Sequence, residues 1–140
     1  YTTLFRSLRV QRAAENAHKV ASFLQTRIPR LLYPGLASHP QHNLAMQQMD
    51  ACGGIFSFEV EGRKQAHALL NALKLIDISN NIGDSRSLMC HNASTTHYSV
   101  SAEAREEMGV TEGMLRLNVG LEDPADLIDD LDQALHAVGL

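Results

Sequence analysis

The sequence predicts one α+β domain, a small, mixed, mostly antiparallel sheet with helices packed on one face. At 140 residues, the chain has the length of a single domain. Strand-like and helix-like patterns alternate irregularly along it, and no strand-to-helix turn carries a glycine-rich phosphate loop. The clearest strand segments alternate apolar and polar residues, which is typical of a sheet with one buried face.

The first half of the chain predicts two helices and one short strand. From Leu8 the apolar residues recur at steps of three and four, which places them on one side of a helix that Pro29 ends. Residues 31–33 predict a short strand. Pro40 can open a second, short helix, which the glycine pair at 53–54 ends. The apolar stripe of the first helix consists of Val10, Ala13, Ala17, Val20 and Leu24.

The second half predicts four strands and three helices. Ser101 can cap the start of a helix that ends at Gly109, and Asp123 followed by Pro124 can begin the last helix. The strands are predicted over 55–60, 75–79, 86–90 and 114–119. The inward-facing residues of the helix after the first of these strands are Ala66, Leu69, Leu70 and Leu73. Those of the last helix are Leu127, Ile128, Leu131, Ala134, Leu135 and Val138.

Composition argues against several classes of protein. The net charge is -4 and the 12 lysines and arginines are scattered, so we expect no nucleic-acid partner. No apolar run approaches the roughly 20 residues of a membrane span, and no signal peptide opens the chain. Cys52 and Cys90 are far apart and predict two free thiols. Together these features predict a cytoplasmic protein.

Arg116 is the first candidate for chemistry. It lies in the predicted strand 114–119, where alternation places Leu115, Leu117 and Val119 on the apolar side and Arg116 on the other. A guanidinium on a rigid strand can bind a carboxylate through two parallel hydrogen bonds. On the pattern alone, a solvated surface arginine is the better explanation of Arg116.

Other kinds of site receive less support. The chain has seven histidines, but the pairs His39/His42 and His91/His97 have no third ligand at a suitable spacing, so we expect no metal site. No serine-hydrolase motif occurs. The polar loop 79–96 lies between two apolar strands and is rich in asparagine and hydroxyl groups, as binding loops often are.

Three segments resemble the pyridoxal-phosphate enzymes of cysteine and methionine metabolism, the transsulfuration family. They are MLRLNVGLEDPADLI at 114–128, ISNNIGDSRSL at 78–88 continuing through HNASTTH at 91–97, and LYPGLASHPQH at 32–42. Their order and approximate spacing match the family. The resemblance implies that residues 8–140 form the C-terminal small domain of an aminotransferase-like, fold type I enzyme. Residues 1–7 do not match it and resemble translated sequencing-adapter sequence, so we expect them to be non-native.

The resemblance also implies the site residues. Arg116 would form the main ion pair with the substrate α-carboxylate, and Ser87 would help to hold it. Arg86 is a possible specificity residue. The possible cleft-loop residues are Asn81, Thr95, Thr96 and His97. The implied cofactor is pyridoxal 5'-phosphate, bound mainly by a large domain that this sequence lacks, and the implied parent enzyme is a homotetramer.

Two departures from the family pattern affect these expectations. The three lysines do not follow the family's Schiff-base pattern, so we expect this fragment to be inactive alone. Asn92 occupies a position where family members usually carry proline. The lysines are Lys19, Lys64 and Lys74.

The run from Gly83 to Leu88 resembles the homoserine sulfhydrylases, because Arg86 takes the place of a glutamate that is usual in the cystathionine-forming and cystathionine-cleaving members. The implied reaction, a step of methionine biosynthesis, combines O-succinylhomoserine or O-acetylhomoserine with sulfide to give homocysteine. Two alternatives remain open. One is a cystathionine gamma-synthase or gamma-lyase of the same family, and the other is a free-standing domain without catalysis.

Overall fold

The computed structural model describes residues 2–140 of the chain. It contains five helices, five strands and one 3-10 turn in the described part. The helices are α1 (Thr2–Leu24), α2 (His42–Gln48), α3 (Gly62–Ala72), α4 (Ala102–Glu107) and α5 (Pro124–Ala137). The strands are β1 (Arg30–Leu32), β2 (Ile55–Glu59), β3 (Asp77–Ile78), β4 (Leu88–His91) and β5 (Met114–Asn118), and the 3-10 turn is Asn92–Ser94.

The five strands form one sheet in the order β1-β2-β5-β4-β3. Three of the neighbouring pairs are antiparallel, and only β3 and β4 run parallel. The predicted mixed, mostly antiparallel sheet is therefore confirmed. Its central strand, β5, lies between β2 and β4.

Alternation divides the strands between two faces. The apolar face carries Phe56 and Phe58 of β2, Met89 of β4, and Leu115 and Leu117 of β5. These side chains join one core with residues of α1, α3 and α5, including Val20, Leu69 and Leu131. The helices therefore pack on one face, as the sequence predicts, and burial of this apolar area is the main stabilising term of the fold.

The predicted caps also form. The Ser101 hydroxyl accepts a hydrogen bond from the backbone of Ala104 at 3.3 Å. The Asp123 carboxylate accepts one from the backbone of Ala125 at 2.9 Å, at the start of α5. Both bonds satisfy N–H groups that the first turn of a helix leaves without a partner.

The structure corrects several boundaries. Helix α1 begins at Thr2 and not at Leu8, and Val10 is 55% exposed although the stripe pattern predicted it inward. The buried stretch of α1 starts only at Ala14, because the helix extends past the core at its N-terminal end. Strands β3 and β4 are shorter or shifted by up to two residues from the predicted 75–79 and 86–90. The proposed boundary at residue 8 stays a prediction.

None of the described helices combines the length and the apolar character that a membrane crossing requires. Helix α1 has 23 residues, but its surface is largely polar. Both cysteines are free thiols within the described part of the chain.

Candidate functional site

The polar face of the sheet presents Arg116 at its centre. Strand pairing aligns Arg116 with Ser57 on β2 and with Cys90 on β4, so these three residues form one row across the sheet. Asn118 lies two residues further along β5 on the same face. The core-forming leucines on either side of Arg116 fix the strand, and the arginine therefore projects from a rigid support.

The Arg116 guanidinium has capacity for a ligand. Its Nη2 donates to the backbone oxygen of Asn80 at 2.7 Å, and the residue is partly exposed. No carboxylate within the described residues lies at ion-pair distance from it. By contrast, Arg30 pairs with Glu59 and Arg63 pairs with Glu112. Since a guanidinium has five N–H donors, most of those on Arg116 remain available for an anion.

The loop that follows β3 lies beside this row. The backbone oxygen of Asn80 accepts the hydrogen bond from Arg116, and three residues later the backbone N–H of Gly83 donates to Asn118 Oδ1 at 3.1 Å. Gly83 has a φ of 77°, a left-handed conformation that favours glycine. The backbone N–H of Asn81 donates to Ser79 Oγ at 3.2 Å, and Asn81 itself is exposed. The loop is thus tied to the polar face at both Arg116 and Asn118.

Asn118 has an amide group that is only half used. It is buried at the centre of the sheet, and its oxygen accepts the Gly83 N–H while its Nδ2 has no hydrogen-bond partner within the described residues. A buried amide N–H without an acceptor is unfavourable, so this position favours an additional acceptor. Arg116 and Asn118 therefore place unfilled donors on the same face.

Ser87 occupies a different place. It is 1% exposed, and its hydroxyl accepts from the backbone of Gly120 at 2.9 Å and donates to Glu122 Oε2 at 2.9 Å. The Ser87 backbone N–H donates to Glu122 Oε1 at 2.7 Å. It lies three residues before Cys90, a strand distance of about 10 Å. Within the described residues no hydrogen bond joins Ser87 to Arg116, and the role of Ser87 in holding a substrate carboxylate stays a prediction.

Gly120 allows this cluster to close. A Cβ added at Gly120 would lie 2.4 Å from the backbone oxygen of Ser85, which no side chain could tolerate. The absence of a side chain lets the turn after β5 approach the strand that leads into β4. The sequence alone gave no indication of the Ser87–Glu122 pairing, because the two residues are separated by 35 positions.

Arg86 lies at the edge of the sheet. Its guanidinium pairs with Asp77 at 2.6 Å and its side chain is 67% exposed. The Asp84 carboxylate accepts a bond from the Arg86 backbone N–H at 3.1 Å, and that bond is the main reason why the pKa of Asp84 lies below its usual range. The positive charge of Arg86 is therefore partly neutralised by a neighbour of its own sheet.

Thr95, Thr96 and His97 form a turn beyond the end of β4. Thr95 Oγ1 donates to the backbone oxygen of His91 at 2.8 Å, and Thr96 Oγ1 lies 2.9 Å from His97 Nδ1. Buried Asn92 opens the 3-10 turn before them. In the described part of the chain, no hydrogen bond joins this turn to Arg116.

The lysines lie away from the polar row. Lys19 is on α1, Lys64 is on α3, and Lys74 follows the end of α3, all in exposed positions of elements on the other side of the sheet. Within the described residues, no three His, Cys, Asp or Glu side chains cluster as metal ligands would.

Sequence reasoning also missed Asp130. This aspartate of α5 is 6% exposed, and its carboxylate accepts from the backbone N–H groups of Lys74, Leu75 and Ile76 at 2.8, 2.9 and 2.9 Å. It therefore fixes the turn that leads from α3 into β3, the strand from which the Asn80 loop starts. The burial of Asp130 could not be predicted from the sequence, because it depends on how α5 packs against the turn after α3.

Comparisons with known proteins place this arrangement in context. The family model of the Cys/Met metabolism PLP-dependent enzymes matches residues 2–136. L-methionine gamma-lyase of Fusobacterium nucleatum subsp. polymorphum is 43% identical over 134 residues, which cover 94% of this chain and 34% of that protein. O-succinylhomoserine sulfhydrylase of Mycobacterium tuberculosis is 40% identical over 136 residues, 92% of this chain and 34% of that protein.

Solved structures with a fold similar to that of this chain carry names of the same kind. A putative O-acetylhomoserine (thiol)-lyase from Campylobacter jejuni superposes with a TM-score of 0.89 at 39% identity, over 93% of this chain and 32% of that one. Cystathionine gamma synthase from Xanthomonas oryzae pv. oryzae gives a TM-score of 0.90 at 36% identity, over 94% of this chain and 35% of that one. The chain thus spans about a third of the length of these relatives. The predicted family is confirmed, and the chain belongs to the Cys/Met metabolism PLP-dependent enzymes.

Proposed function

We propose that this chain is the C-terminal small domain of a pyridoxal-phosphate enzyme that converts O-succinylhomoserine or O-acetylhomoserine and sulfide into homocysteine. The observation that carries the proposal is the Arg116 guanidinium, held on the central strand with most of its donors unfilled. An α-amino-acid substrate presents a carboxylate, which is the planar two-oxygen partner that such a guanidinium binds best.

The residues of this chain would bind and orient the substrate. A two-point contact between Arg116 and the carboxylate stops rotation of the substrate, so that the bond to be broken at Cα can be held perpendicular to the plane of the cofactor. The unpartnered Nδ2 of Asn118 lies on the same face and can add a hydrogen bond to an anion or to a loop residue. Exposed Asn81 extends the same edge, and we propose the 79–86 loop as one wall of the cleft.

The cofactor would be held mainly by protein outside this chain. When bound, pyridoxal phosphate supplies an electron sink for bonds at the substrate Cα. The described lysines lie on or next to helices on the opposite side of the sheet, so the residues present fit a role in binding substrate and not one in attaching the cofactor. We therefore expect the 140-residue chain alone to be inactive.

The choice of sulfide as the nucleophile rests on Arg86. Arginine there would repel the ammonium group of an incoming cysteine but would not repel hydrosulfide. Its exposed pairing with Asp77 limits the effect. An exposed charge of this kind contributes roughly 0.2–1 kcal/mol, which corresponds to a change of about fivefold or less. Cystathionine gamma-synthase activity is the second candidate, because a synthase is among the similar structures.

The test is a nucleophile competition in the full-length enzyme of which this chain forms the C-terminal third. With an O-acylhomoserine substrate, we expect kcat/KM to be higher for sulfide than for cysteine. Arg86→Glu should raise the cysteine-to-sulfide ratio by about twofold to fivefold. Arg63→Glu, a change at another exposed arginine, is the matched control and should leave the ratio unchanged. A wild-type preference for cysteine would replace the sulfhydrylase proposal with the synthase.

A further inference from the structure

A second cluster of chemically active groups lies on the apolar face, away from Arg116. His67 on α3 and His91 at the end of β4 direct ring nitrogens at each other, with His67 Nε2 3.3 Å from His91 Nδ1. Ser94 Oγ completes a triangle, at 3.2 Å from the His67 nitrogen and 2.7 Å from the His91 nitrogen. His91 pairs with Leu115 across the sheet, which places it on the side of the helices.

The tautomer of His91 is fixed by its other nitrogen. His91 Nε2 lies 2.9 Å from the backbone oxygen of Glu112. A carbonyl oxygen can only accept, so Nε2 carries the proton in the neutral ring and Nδ1 presents a lone pair to the triangle. A backbone carbonyl that holds the second ring N–H in this way is the support that metal-binding histidines usually have. The 1% exposure of His91 keeps the ring in that orientation.

We propose that His67, His91 and Ser94 form a binding site for one zinc-like transition-metal ion. Tetrahedral zinc with bonds of about 2.0–2.1 Å to nitrogen separates neighbouring ligand atoms by about 3.3 Å. The two imidazole nitrogens already have this separation. His67 is exposed, so water can reach the ion and complete its coordination. The ring planes cross at 87° with their centroids 4.8 Å apart, so the two nitrogens approach each other without stacking of the rings.

The surroundings determine which ions would bind. Both imidazoles are neutral ligands, and the Glu112 carboxylate is already engaged by Arg63 at 2.7 Å and Arg105 at 2.8 Å. Glu112 is therefore not free to neutralise a hard cation such as Mg²⁺ or Ca²⁺, which require oxygen ligands. Zn²⁺, Ni²⁺ and Cu²⁺ bind imidazole strongly and gain most from this pair.

The proposal departs from the expectation from sequence that no metal binds. His67 and His91 are separated by 24 positions and belong to a helix and a strand, so no local spacing in the sequence predicts that they lie together. The third group is a serine hydroxyl, which sequence patterns for metal sites do not include. The proposal is independent of the substrate site, because the two lie on opposite faces of the sheet.

The test uses the 140-residue chain, titrated with Zn²⁺ in a calorimeter and melted with and without the ion. We expect one saturable site and, at a free Zn²⁺ concentration of one hundred times Kd, a midpoint that rises by roughly 5–10 °C. Mg²⁺ and Ca²⁺ should give no shift. His67→Gln retains a polar, exposed side chain but removes the metal ligand, and it should weaken binding by about tenfold or more.

Two further measurements keep the result interpretable. His18→Gln, at an exposed helical histidine outside the cluster, is the matched control and should bind Zn²⁺ like the wild type. Nitrogen NMR signals of His67 and His91 should shift on binding while those of His39 and His42 do not. Absence of saturable binding, equal binding by His67→Gln, or shifts confined to other histidines would each overturn the proposal.

Discussion

The two faces of the sheet use the same strands for different purposes. On β5 the leucines at 115 and 117 are buried beneath the helices, while Arg116 and Asn118 between and beside them carry unfilled donors on the polar face. On β2, Phe56 and Phe58 alternate with Ser57 in the same way. Alternation lets one face form the core and places polar groups such as Arg116 and Asn118 on the other face. We therefore expect substitutions on the apolar face to cause large losses of stability and substitutions on the polar face to cause small ones.

The largest effect on stability is expected at Phe58. Phe58→Ala removes a ring that is 1% exposed in the core, and it should lower the free energy of unfolding by about 3–5 kcal/mol. Its neighbour Ser57, on the other face, is the matched control, and Ser57→Ala should change stability by no more than about 0.5 kcal/mol. Urea unfolding of both variants measures the difference. Similar losses in the two would mean that the faces are not divided as described.

The next largest effect is expected at Asp130, a charged group that supports the apolar side. The Asp130 carboxylate accepts hydrogen bonds from three backbone N–H groups, and Asp130→Asn would direct amide hydrogens at some of them. We therefore expect the free energy of unfolding to fall by about 2–3 kcal/mol. Asp129→Asn, at an exposed position on the same helix, should have almost no effect. If the two variants unfold at the same urea concentration, the carboxylate does not fix the turn into β3.

Tyr33 tests the apolar side at high pH. Burial raises the pKa of Tyr33 to about 12, and the charge of Cys52 makes a smaller contribution in the same direction. The unfolded chain releases this proton near pH 10, so the folded state binds more protons between pH 10 and 12 and stability falls as the pH rises through that range. The contribution is fully present below pH 10 and amounts to roughly 1–3 kcal/mol.

Tyr33→Phe should remove this dependence. At neutral pH the variant should be less stable by about 1 kcal/mol, because it loses the bond from the hydroxyl to the backbone oxygen of Gly53 at 2.9 Å. Above pH 10 the difference in the free energy of unfolding between the wild type and the variant should become smaller. Denaturant unfolding at pH 7 and pH 11 measures it, with Tyr98→Phe, at an exposed tyrosine, as control. A gap that stays constant would show that Tyr33 ionises normally in the folded chain.

Local patterns predicted much of the fold. The helical caps at Ser101 and Asp123, the alternation of β2 and β5, and the apolar stripe of α5 follow from chemistry within a few residues, and the structure contains each of them. The position of Val10 was predicted wrongly because periodicity gives the side of a helix but not where the core beneath it ends.

The site was predictable only in part. Arg116 could be assigned to the polar face from alternation alone. The roles of Asn118 and Glu122 depend on contacts with residues about 35 positions away, Gly83 and Ser87, which no local pattern encodes. The hydrogen bond between Gly120 and Ser87 has the same origin, since it follows from the close approach of two turns at Gly120.

Apart from the control variants, the smallest effect on stability is expected at Arg116, whose removal should affect catalysis instead. In the proposed full-length enzyme, Arg116→Ala should lower the free energy of unfolding by less than about 1 kcal/mol, while kcat/KM for the proposed O-acylhomoserine substrate falls by roughly 100-fold or more. Arg116→Lys, which keeps the charge but loses the planar pair of donors, should recover only part of that loss.

The decisive measurement is this ratio of kcat/KM values, with Arg30→Ala as the matched control. Arg30 is a strand arginine already paired with Glu59 at 2.5 Å, so its removal should leave kcat/KM within about twofold of the wild type. A folded Arg116→Ala enzyme that also keeps kcat/KM within about twofold would contradict the proposal that Arg116 receives the substrate carboxylate.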